Sequence, residues 1–492
     1  MNEKFRSVIS HSSDDKVKVV YSWFGPKGPI WNTELPNILT FSTTAEGVNP
    51  NFESRHFWTD DIWQKQFSKS KDKFELQPVS GIEAEKGEEM TPFIYPFSMT
   101  WRVSFEKYFI KGSGLLEFSH MPQWLIHHCS VYNGYILIDH SVEAFMSDTE
   151  LHAMFSYFHK AHQIPMYKII YLTGTVNATT VYEKFCERHN INTHRSHRMH
   201  VIPYASSREI FHNFYANGLV DTAEIEEHEE PVYDDTYVPN KLFLSWNRRF
   251  RKHRTSLALL LEKNNLVERS LMSFAKVDDE MNNKSIADEI QDQRTPEDSI
   301  IRLYSDHNMH IEEDVAQRFY QRCPLVIDGE TDINKMCEDY GFTQPYYKDT
   351  LVSIITETNF NADECTLTEK SFKPMFNKHP FIIVGVPGSI QGLRDLGFQT
   401  FSEFWSEEYD TLEKPNERFI ALEKIFKEIG SWSPDQVLDF KRRVKPIMEH
   451  NYHVFKEPGS VTVVNNMYEH ITKNFNTDYS HWCDPDGRCH FE

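Results

Sequence analysis

The chain has 492 residues and a formal net charge of −21, and 39% of its residues are hydrophobic. The length predicts two to three domains with packed cores, and the negative charge argues against a protein that coats nucleic acid with most of its surface. The sequence has no run of about 18 apolar residues, so we expect no membrane span. Its seven scattered cysteines and polar first residues predict a cytoplasmic protein without a disulfide framework.

The first half of the chain is predicted to alternate strands and helices. Strands are expected at residues 16–24, 135–138, 167–172 and 200–203. Ser147 is placed to cap an amphipathic helix with apolar residues at i, i+3, i+4 and i+7, and a second helix is expected at 179–189. This order predicts parallel crossovers and a doubly wound sheet within a domain of residues 1–220.

A solvated connector is predicted at residues 221–240, which carry eight acids and two prolines. A second α/β domain, residues 241–455, should follow. Its strands are expected at 241–245, 351–356 and 381–384, and its helices at 254–263, 369–377, 389–396, 412–429 and 433–455. Residues 456–492 are predicted to return to the first domain or to be partly disordered.

Polar residues follow the predicted strand at 351–356, at the end where open α/β sheets bind ligands. Glu357 and Thr358 stand there, and Thr368 is placed to cap the next helix. Glu369, at the start of that helix, is suited to accept hydrogen bonds from ribose hydroxyls, and Lys370 and Lys373 to meet phosphate oxygens. The alternative for Glu369 is an ordinary first-turn acid.

A basic cluster, Trp246 to Arg254, separates the strand at 241–245 from the next helix. Backbone N–H groups, the helix dipole and guanidinium groups all favour an anion at such a turn. We therefore expect phosphate contacts from this cluster, chiefly from Arg249 and Arg254. The competing interpretation is a solvated loop that neutralises the acidic connector.

The segment Thr368-Glu369-Lys370-Ser371-Phe372-Lys373-Pro374, followed by His379-Pro380-Phe381 and Gly385, resembles the donor half of GT-B glycosyltransferases. The likeness is to the fucosyltransferase and exostosin-like group and to related phage-encoded proteins. It implies a GT-B α/β fold, with two Rossmann-like domains facing a cleft. The donor-binding set is predicted to be Asn247, Arg249, Arg254, Glu357, Thr358, Glu369, Lys370 and Lys373.

The resemblance implies sugar transfer from a nucleoside-diphosphate sugar of UDP or GDP type, with UDP favoured, and no further cofactor. Asp139 or Glu143, after a first-domain strand, is the candidate base for an inverting reaction; the alternative is a capping Asp and a surface Glu. The acceptor is either a glycan or a modified base such as hydroxymethylcytosine in phage DNA. DNA would need a basic face, which Lys184, Arg188, Arg195, His197 and Arg198 begin to supply. A non-catalytic nucleotide-sugar-binding or glycan-binding protein is the alternative from another class.

A bound metal is not expected. His127, His128 and Cys129 are contiguous, so their side chains should diverge, and the C-terminal Cys-x5-Cys-His sequence is tighter than a usual zinc site. The chain also lacks an Asp-x-Asp sequence flanked by an apolar strand, of the kind that metal-dependent GT-A enzymes use. A metal-independent mechanism is therefore predicted.

Overall fold

The structure is a computed structural model of the chain. It describes residues 16–21, 24–25, 28–29, 70–78, 93–98, 123–131, 133–141, 144–209, 231–247, 250–275, 277–278, 284–285, 311–327, 344–457 and 459–475. The chain divides into two compact units: unit 1 is Met1–Ser206 with Gly459–Glu492, and unit 2 is Ser207–Pro458. The sequence analysis ended the first domain at residue 220, whereas the first segment of unit 1 ends at Ser206.

Unit 1 is built on a six-stranded parallel sheet in the order β4-β1-β5-β6-β7-β8. Its strands are β1 (Val17–Tyr21), β4 (Phe74–Pro78), β5 (Phe93–Ser98), β6 (Gly134–His140), β7 (Ile169–Thr173) and β8 (His200–Pro203). Two short strands, β2 (Phe24–Gly25) and β3 (Gly28–Pro29), form a separate antiparallel pair. The α/β class and the four strands predicted in this half are confirmed.

The sheet of unit 1 is buried on both faces. Its helices are α1 (Gln123–Val131), α2 (Asp148–Phe155), α3 (Ala178–Arg188) and α11 (Ser460–Phe475). Alternate residues of β6 enter two apolar clusters, Ile136 and Ile138 in one and Tyr135 and Leu137 in the other. Because neighbouring strand residues point to opposite faces, the two clusters cover opposite faces of the sheet.

Helix α11 was not predicted, although it completes the core of unit 1. Val463, Val464, Met467 and Ile471 are all fully or almost fully buried and pack with Tyr135 and Leu137. Its side chains also bond to the sheet strands, as in the 2.7 Å contact of His200 Nε2 with Asn466 Oδ1. The C-terminal segment therefore belongs structurally to unit 1.

Unit 2 contains a four-stranded parallel sheet in the order β10-β9-β13-β14. Its strands are β9 (Lys241–Ser245), β10 (Ser270–Met272), β13 (Thr350–Thr356) and β14 (Phe381–Val384), while β11 (Val277–Asp278) and β12 (Lys284–Ser285) pair separately. Its helices are α4 (Lys252–Lys263), α5 (Glu313–Arg322), α6 (Gln344–Lys348), α7 (Glu369–Phe376), α8 (Ser389–Asp395), α9 (Pro415–Gly430) and α10 (Pro434–Lys456). The three strands and five helices given above for this half are present, within about three residues at each end.

The described part of the predicted connector, residues 231–240, is exposed at every second position and also contacts α10. Lys441 on α10 donates a hydrogen bond to the Tyr237 carbonyl at 2.9 Å, and its ammonium lies 3.8 Å from the centre of the Tyr237 ring. Lys445 pairs with Asp235 at 3.2 Å. The segment thus has the exposed positions expected of a solvated connector, and its contacts with α10 were not predicted.

Within the described residues, none of the helices has the length and apolar character needed to cross a bilayer.

Candidate functional site

The candidate site lies at the carboxyl ends of β9 and β13 in unit 2. The chain runs from β9 to β10 on one side and then crosses to β13 on the other side of β9. Such a reversal of strand order opens a crevice between the two central strands, where ligands of open α/β proteins bind. The residues predicted for the donor follow these two strands and flank this point.

Glu357, the first residue after β13, is a buried acid with its carboxylate fully engaged. Its Oε1 accepts hydrogen bonds from the backbone N–H of Thr368 at 3.0 Å and the Ser371 hydroxyl at 2.5 Å. Its Oε2 accepts from the Thr368 hydroxyl at 2.6 Å and the Thr358 N–H at 3.2 Å. Glu357 therefore fixes the start of α7 to the end of β13. A contact of Glu357 or of the exposed Thr358 with the donor sugar stays a prediction.

The first turn of α7 carries the Glu-Lys pair. Thr368 caps the helix, because its hydroxyl accepts from the Lys370 N–H. Glu369 lies at the first helical position, 2.6 Å from Lys370 Nζ. Burial alone would raise the pKa of Glu369, but the positive charges of Lys370 and Lys373 outweigh it and lower the pKa to about 2. Glu369 is thus ionised at neutral pH, and its carboxylate can accept hydrogen bonds from hydroxyl groups.

Two residues in the first turn of α4 contact the same strand end. Arg254 is buried, and its Nη2 donates to the Thr356 carbonyl at 3.4 Å. Burial, with a further contribution from the charge of Arg254, lowers the pKa of His253 to about 3, so the ring is neutral. His253 Nε2 then donates to the Glu357 carbonyl at 2.8 Å. The first turns of α4 and α7 are therefore both bound to Thr356 and Glu357.

Asn247 lies buried between the two central strands. Its amide donates to Ser245 at 3.0 Å and its Oδ1 accepts from the Thr356 hydroxyl at 2.9 Å. The side chain thus holds β9 and β13 in place where the crevice opens. Arg249 lies outside the described residues, and Lys373 is a buried residue of α7.

Arg418 on α9 is a residue of this edge that the sequence analysis missed. It is 2% exposed and donates to the carbonyls of Gly385 at 2.8 Å and Phe360 at 2.7 Å. Its guanidinium also lies 3.8 Å from the centre of the Phe360 ring, which stacks on His253. Arg418 therefore ties the loops after β13 and β14 together. A basic residue in the apolar face of the predicted helix at 412–429 was the signal available in the sequence.

The helix after β14 is closed to a ligand at its start. The Asp410 carboxylate accepts from the N–H groups of Ile390 at 3.0 Å and Gln391 at 3.3 Å. Since this acid already accepts from the N–H groups of the first turn of α8, an anionic ligand at this edge would bind near the first turns of α4 and α7 instead.

In unit 1 the structure places Asp139 at the end of β6, opposite Ser98 of β5. Asp139 is 2% exposed, and its Oδ1 accepts from the N–H of Ser141 at 3.0 Å and from its hydroxyl at 2.5 Å. Glu143 lies outside the described residues. His140 follows on β6; its Nδ1 is 2.7 Å from the Tyr171 hydroxyl, and burial lowers its pKa to about 4. The Oδ1 atom of Asp139 thus stabilises the turn that follows β6.

The basic face considered for a DNA acceptor is partly neutralised. Arg198 pairs with Glu183 at 2.7 Å and Arg188 with Asp148 at 2.8 Å. The side chain of Arg195 is not among those described. Two of the five candidate cations are therefore committed to acids of unit 1.

Across the described part of the chain, no three His, Cys, Asp or Glu side chains gather in a way that would hold a metal ion. A cavity in unit 2, lined by residues that include Tyr237, His379 and Lys441, lies near Thr350, the first residue of β13. It is thus at the opposite end of that strand from the candidate site.

Comparison with known proteins gives only remote likeness. No protein-family model matches the chain, and no curated protein matches it. Among solved structures it is similar to a UDP-forming α,α-trehalose-phosphate synthase from Burkholderia xenovorans. That likeness has a TM-score of 0.36 and 10% sequence identity, and it covers 81% of this chain and 77% of the other. At this level the likeness by itself assigns no activity.

Proposed function

We propose that the chain transfers a sugar from a nucleoside-diphosphate sugar to an acceptor hydroxyl and that unit 2 binds the donor. The observation that carries the proposal is the meeting of two helix N-termini at the end of β13. His253 and Arg254 of α4 contact Glu357 and Thr356, and Thr368 of α7 contacts Glu357. Helix N-termini and cations at a topological switch point favour a phosphate group.

Five charged residues predicted for the donor site have a role in the proposal. Lys370 and Arg254 would stabilise the charge that develops on the departing nucleoside diphosphate, with Arg249 and Lys373 as further contacts. Glu369 would accept hydrogen bonds from the ribose. We propose that the nucleotide of the donor is UDP, with GDP as the alternative. We also propose that the transfer takes place without a bound metal. In an inverting reaction Asp139 or Glu143 would take the acceptor proton.

The donor site is tested by thermal-shift titration with UDP, GDP and other nucleoside diphosphates. A ligand that binds only the folded state raises the melting temperature according to its concentration relative to Kd. We expect one nucleotide to stabilise the wild type and to bind Lys370→Gln and Glu369→Gln at least tenfold more weakly. Lys427→Gln is the matched control, since this lysine is 57% exposed and lies on α9 of the same unit. The donor site would be refuted if no nucleotide shifted the wild type, or if the control weakened binding equally.

Catalysis is tested separately by slow hydrolysis of the donor sugar in the absence of an acceptor. Binding without hydrolysis or transfer to any acceptor would favour the alternative, a non-catalytic nucleotide-sugar-binding protein. Glycans and DNA containing hydroxymethylcytosine are the two acceptor classes to compare. Binding to DNA should weaken steeply between low and physiological salt, and binding to a glycan should not.

A further inference from the structure

Two histidines of unit 1 meet outside the site described above. His152 lies on α2 and His189 caps the end of α3. His152 Nε2 is 3.0 Å from His189 Nδ1, and the two rings are nearly perpendicular, with centres 4.2 Å apart. Phe185 packs against both rings, at 5.3 Å and 4.8 Å between centres, so the pair has an apolar support.

The two ring nitrogens approach each other at an angle. A straight hydrogen bond between two imidazoles with this nitrogen separation would hold the ring centres roughly 1 Å farther apart. The bent approach suits two lone pairs that converge on a shared ion. Nitrogens 3.0 Å apart and each about 2.1 Å from an ion subtend an angle of about 90°. That is the angle between neighbouring ligands in square-planar or octahedral sites, which Cu²⁺ and Ni²⁺ favour, rather than in a tetrahedral zinc site.

Asp148 sets the orientation of His189. Its Oδ2 lies 2.8 Å from His189 Nε2, and since a carboxylate only accepts, Nε2 must carry the proton. In the neutral ring this leaves the lone pair on Nδ1, the atom that faces His152. A carboxylate behind a ligating histidine is the usual support of a protein metal site.

One acid lies beside the two histidines and offsets part of the charge of a bound cation. Asp148 Oδ1 accepts from Arg188 Nη2 at 2.8 Å, and Asp148 Oδ2 faces His189 Nε2 at 2.8 Å. The carboxylate therefore contacts the ring nitrogen of His189 that does not face His152.

We propose that His152 Nε2 and His189 Nδ1 form a binding site for a divalent transition-metal ion of the Cu²⁺ and Ni²⁺ class, with Asp148 as the orienting carboxylate. Asp148 is 44% and His189 30% exposed, so water has access to complete the coordination. The described residues offer no third protein ligand here. A bound ion would link α2 to the end of α3 and is independent of the proposed sugar transfer.

The site is tested on the full, untagged chain by calorimetric titration with NiCl2. We expect one site in the wild type, and at least tenfold weaker binding in both His152→Ala and His189→Ala. Asp148→Asn keeps both ligands but removes the orienting charge, and it should weaken binding about tenfold. His127→Ala is the matched control, an exposed histidine on α1 of the same unit, and it should bind Ni²⁺ as the wild type does.

Electron paramagnetic resonance of the Cu²⁺-loaded chain gives a second readout, in which two coupled imidazole nitrogens are expected. His152→Gln and His189→Gln, which retain side-chain bulk, should each reduce the signal to one nitrogen. The proposal would be overturned if the wild type bound Ni²⁺ no more tightly than the His152→Ala/His189→Ala double variant. It would also fail if His127→Ala lost as much affinity as the ligand variants, since binding would then be spread over scattered histidines.

Discussion

The two parallel sheets end differently at the positions suggested for donor and acceptor. In unit 2 the end of β13 is bound to two helices, since Thr356 and Glu357 hold the first turns of α4 and α7. In unit 1 Asp139, near the end of β6, accepts a hydrogen bond from Ser141, two residues away. The edge of unit 2 is therefore fixed by contacts distant in sequence and lies beside cations. A phosphate group needs this kind of preorganised positive edge.

Removing the acid at each strand end tests this difference most strongly. Glu357→Ala deprives Thr368 and Ser371 of their buried acceptor, so we expect a loss of about 4 kcal/mol in unfolding free energy. Asp139→Ala should cost about 2 kcal/mol, because it removes the acceptor of the Ser141 N–H and hydroxyl in the turn after β6. Urea unfolding, with hydrogen exchange of β13 and β6 amides, measures both losses and assigns each to its unit. Equal losses, or a smaller loss for Glu357→Ala, would contradict the comparison.

Much of the fold was predictable because its signals are local. The apolar run that forms β13 and the Thr368 cap of α7 both stand within a few residues of the elements they define. Helix α11 was missed because its β-branched residues, such as Val463 and Val464, have low helix propensity and are used here for packing. In the connector, the acid content gave no sign that Tyr237 and Asp235 would contact α10.

The candidate site was predictable only in its location. Strand ends and a Glu-Lys pair at a helix start identified Glu357 and Lys370 as neighbours of the crevice. The sequence does not show that Ser371 would engage Glu357, or that Arg418 would reach back to Phe360 across 58 residues. Such contacts depend on how the chain folds back on itself, and they decide whether an acid faces a ligand or supports a helix.

The second prediction concerns Arg418, the buried cation that joins the loops of the unit 2 edge. Arg418→Met leaves the carbonyls of Gly385 and Phe360 without this donor, so we expect a loss of about 3 kcal/mol. Faster hydrogen exchange in the loops after β13 and β14 should accompany it. Arg442→Met, on the exposed surface of α10, is the control and should change stability by less than about 0.5 kcal/mol. A loss in Arg418→Met without loop opening would mean that the residue acts only within α9.

The third prediction uses pH to compare His140 of unit 1 with His253 of unit 2. Burial lowers their pKa values to about 4 and about 3, below the value of about 6.5 in an unfolded chain. Their contribution is fully present above pH 6.5 and is lost as the pH falls from there towards the folded pKa. From pH 7.5 to 5, each should account for a loss of about 2 kcal/mol.

Hydrogen exchange at the two pH values, corrected for intrinsic rates, measures this loss in each unit. His140→Gln should reduce the acid sensitivity of β6 and β7, and His253→Gln that of β13. His127→Gln, an exposed position, should leave the sensitivity unchanged. If the His140→Gln chain lost as much stability as the wild type between the two pH values, protonation of this ring would not be the cause.

The smallest losses of stability are expected from two matched helix caps. They provide the reference for comparing the larger losses in the two units. Ser147 and Ser433 each form a capping box, with Glu150 on α2 of unit 1 and Gln436 on α10 of unit 2. Ser147→Ala and Ser433→Ala should each cost about 1 kcal/mol, seen as faster exchange in the capped helix. Ser431 follows α9, and its hydroxyl donates to the Glu428 carbonyl of that helix. Ser431→Ala is the control and should cost less than about 0.5 kcal/mol.

Equal cap losses in the two units would show that neither unit is intrinsically more sensitive to a lost hydrogen bond. A larger loss for Glu357→Ala than for Asp139→Ala would then come from the network that joins β13 to α7. Unequal cap losses would instead place the difference in the background stability of the units. In that case the strand-end acids would have to be compared again after scaling each loss by that of its own cap.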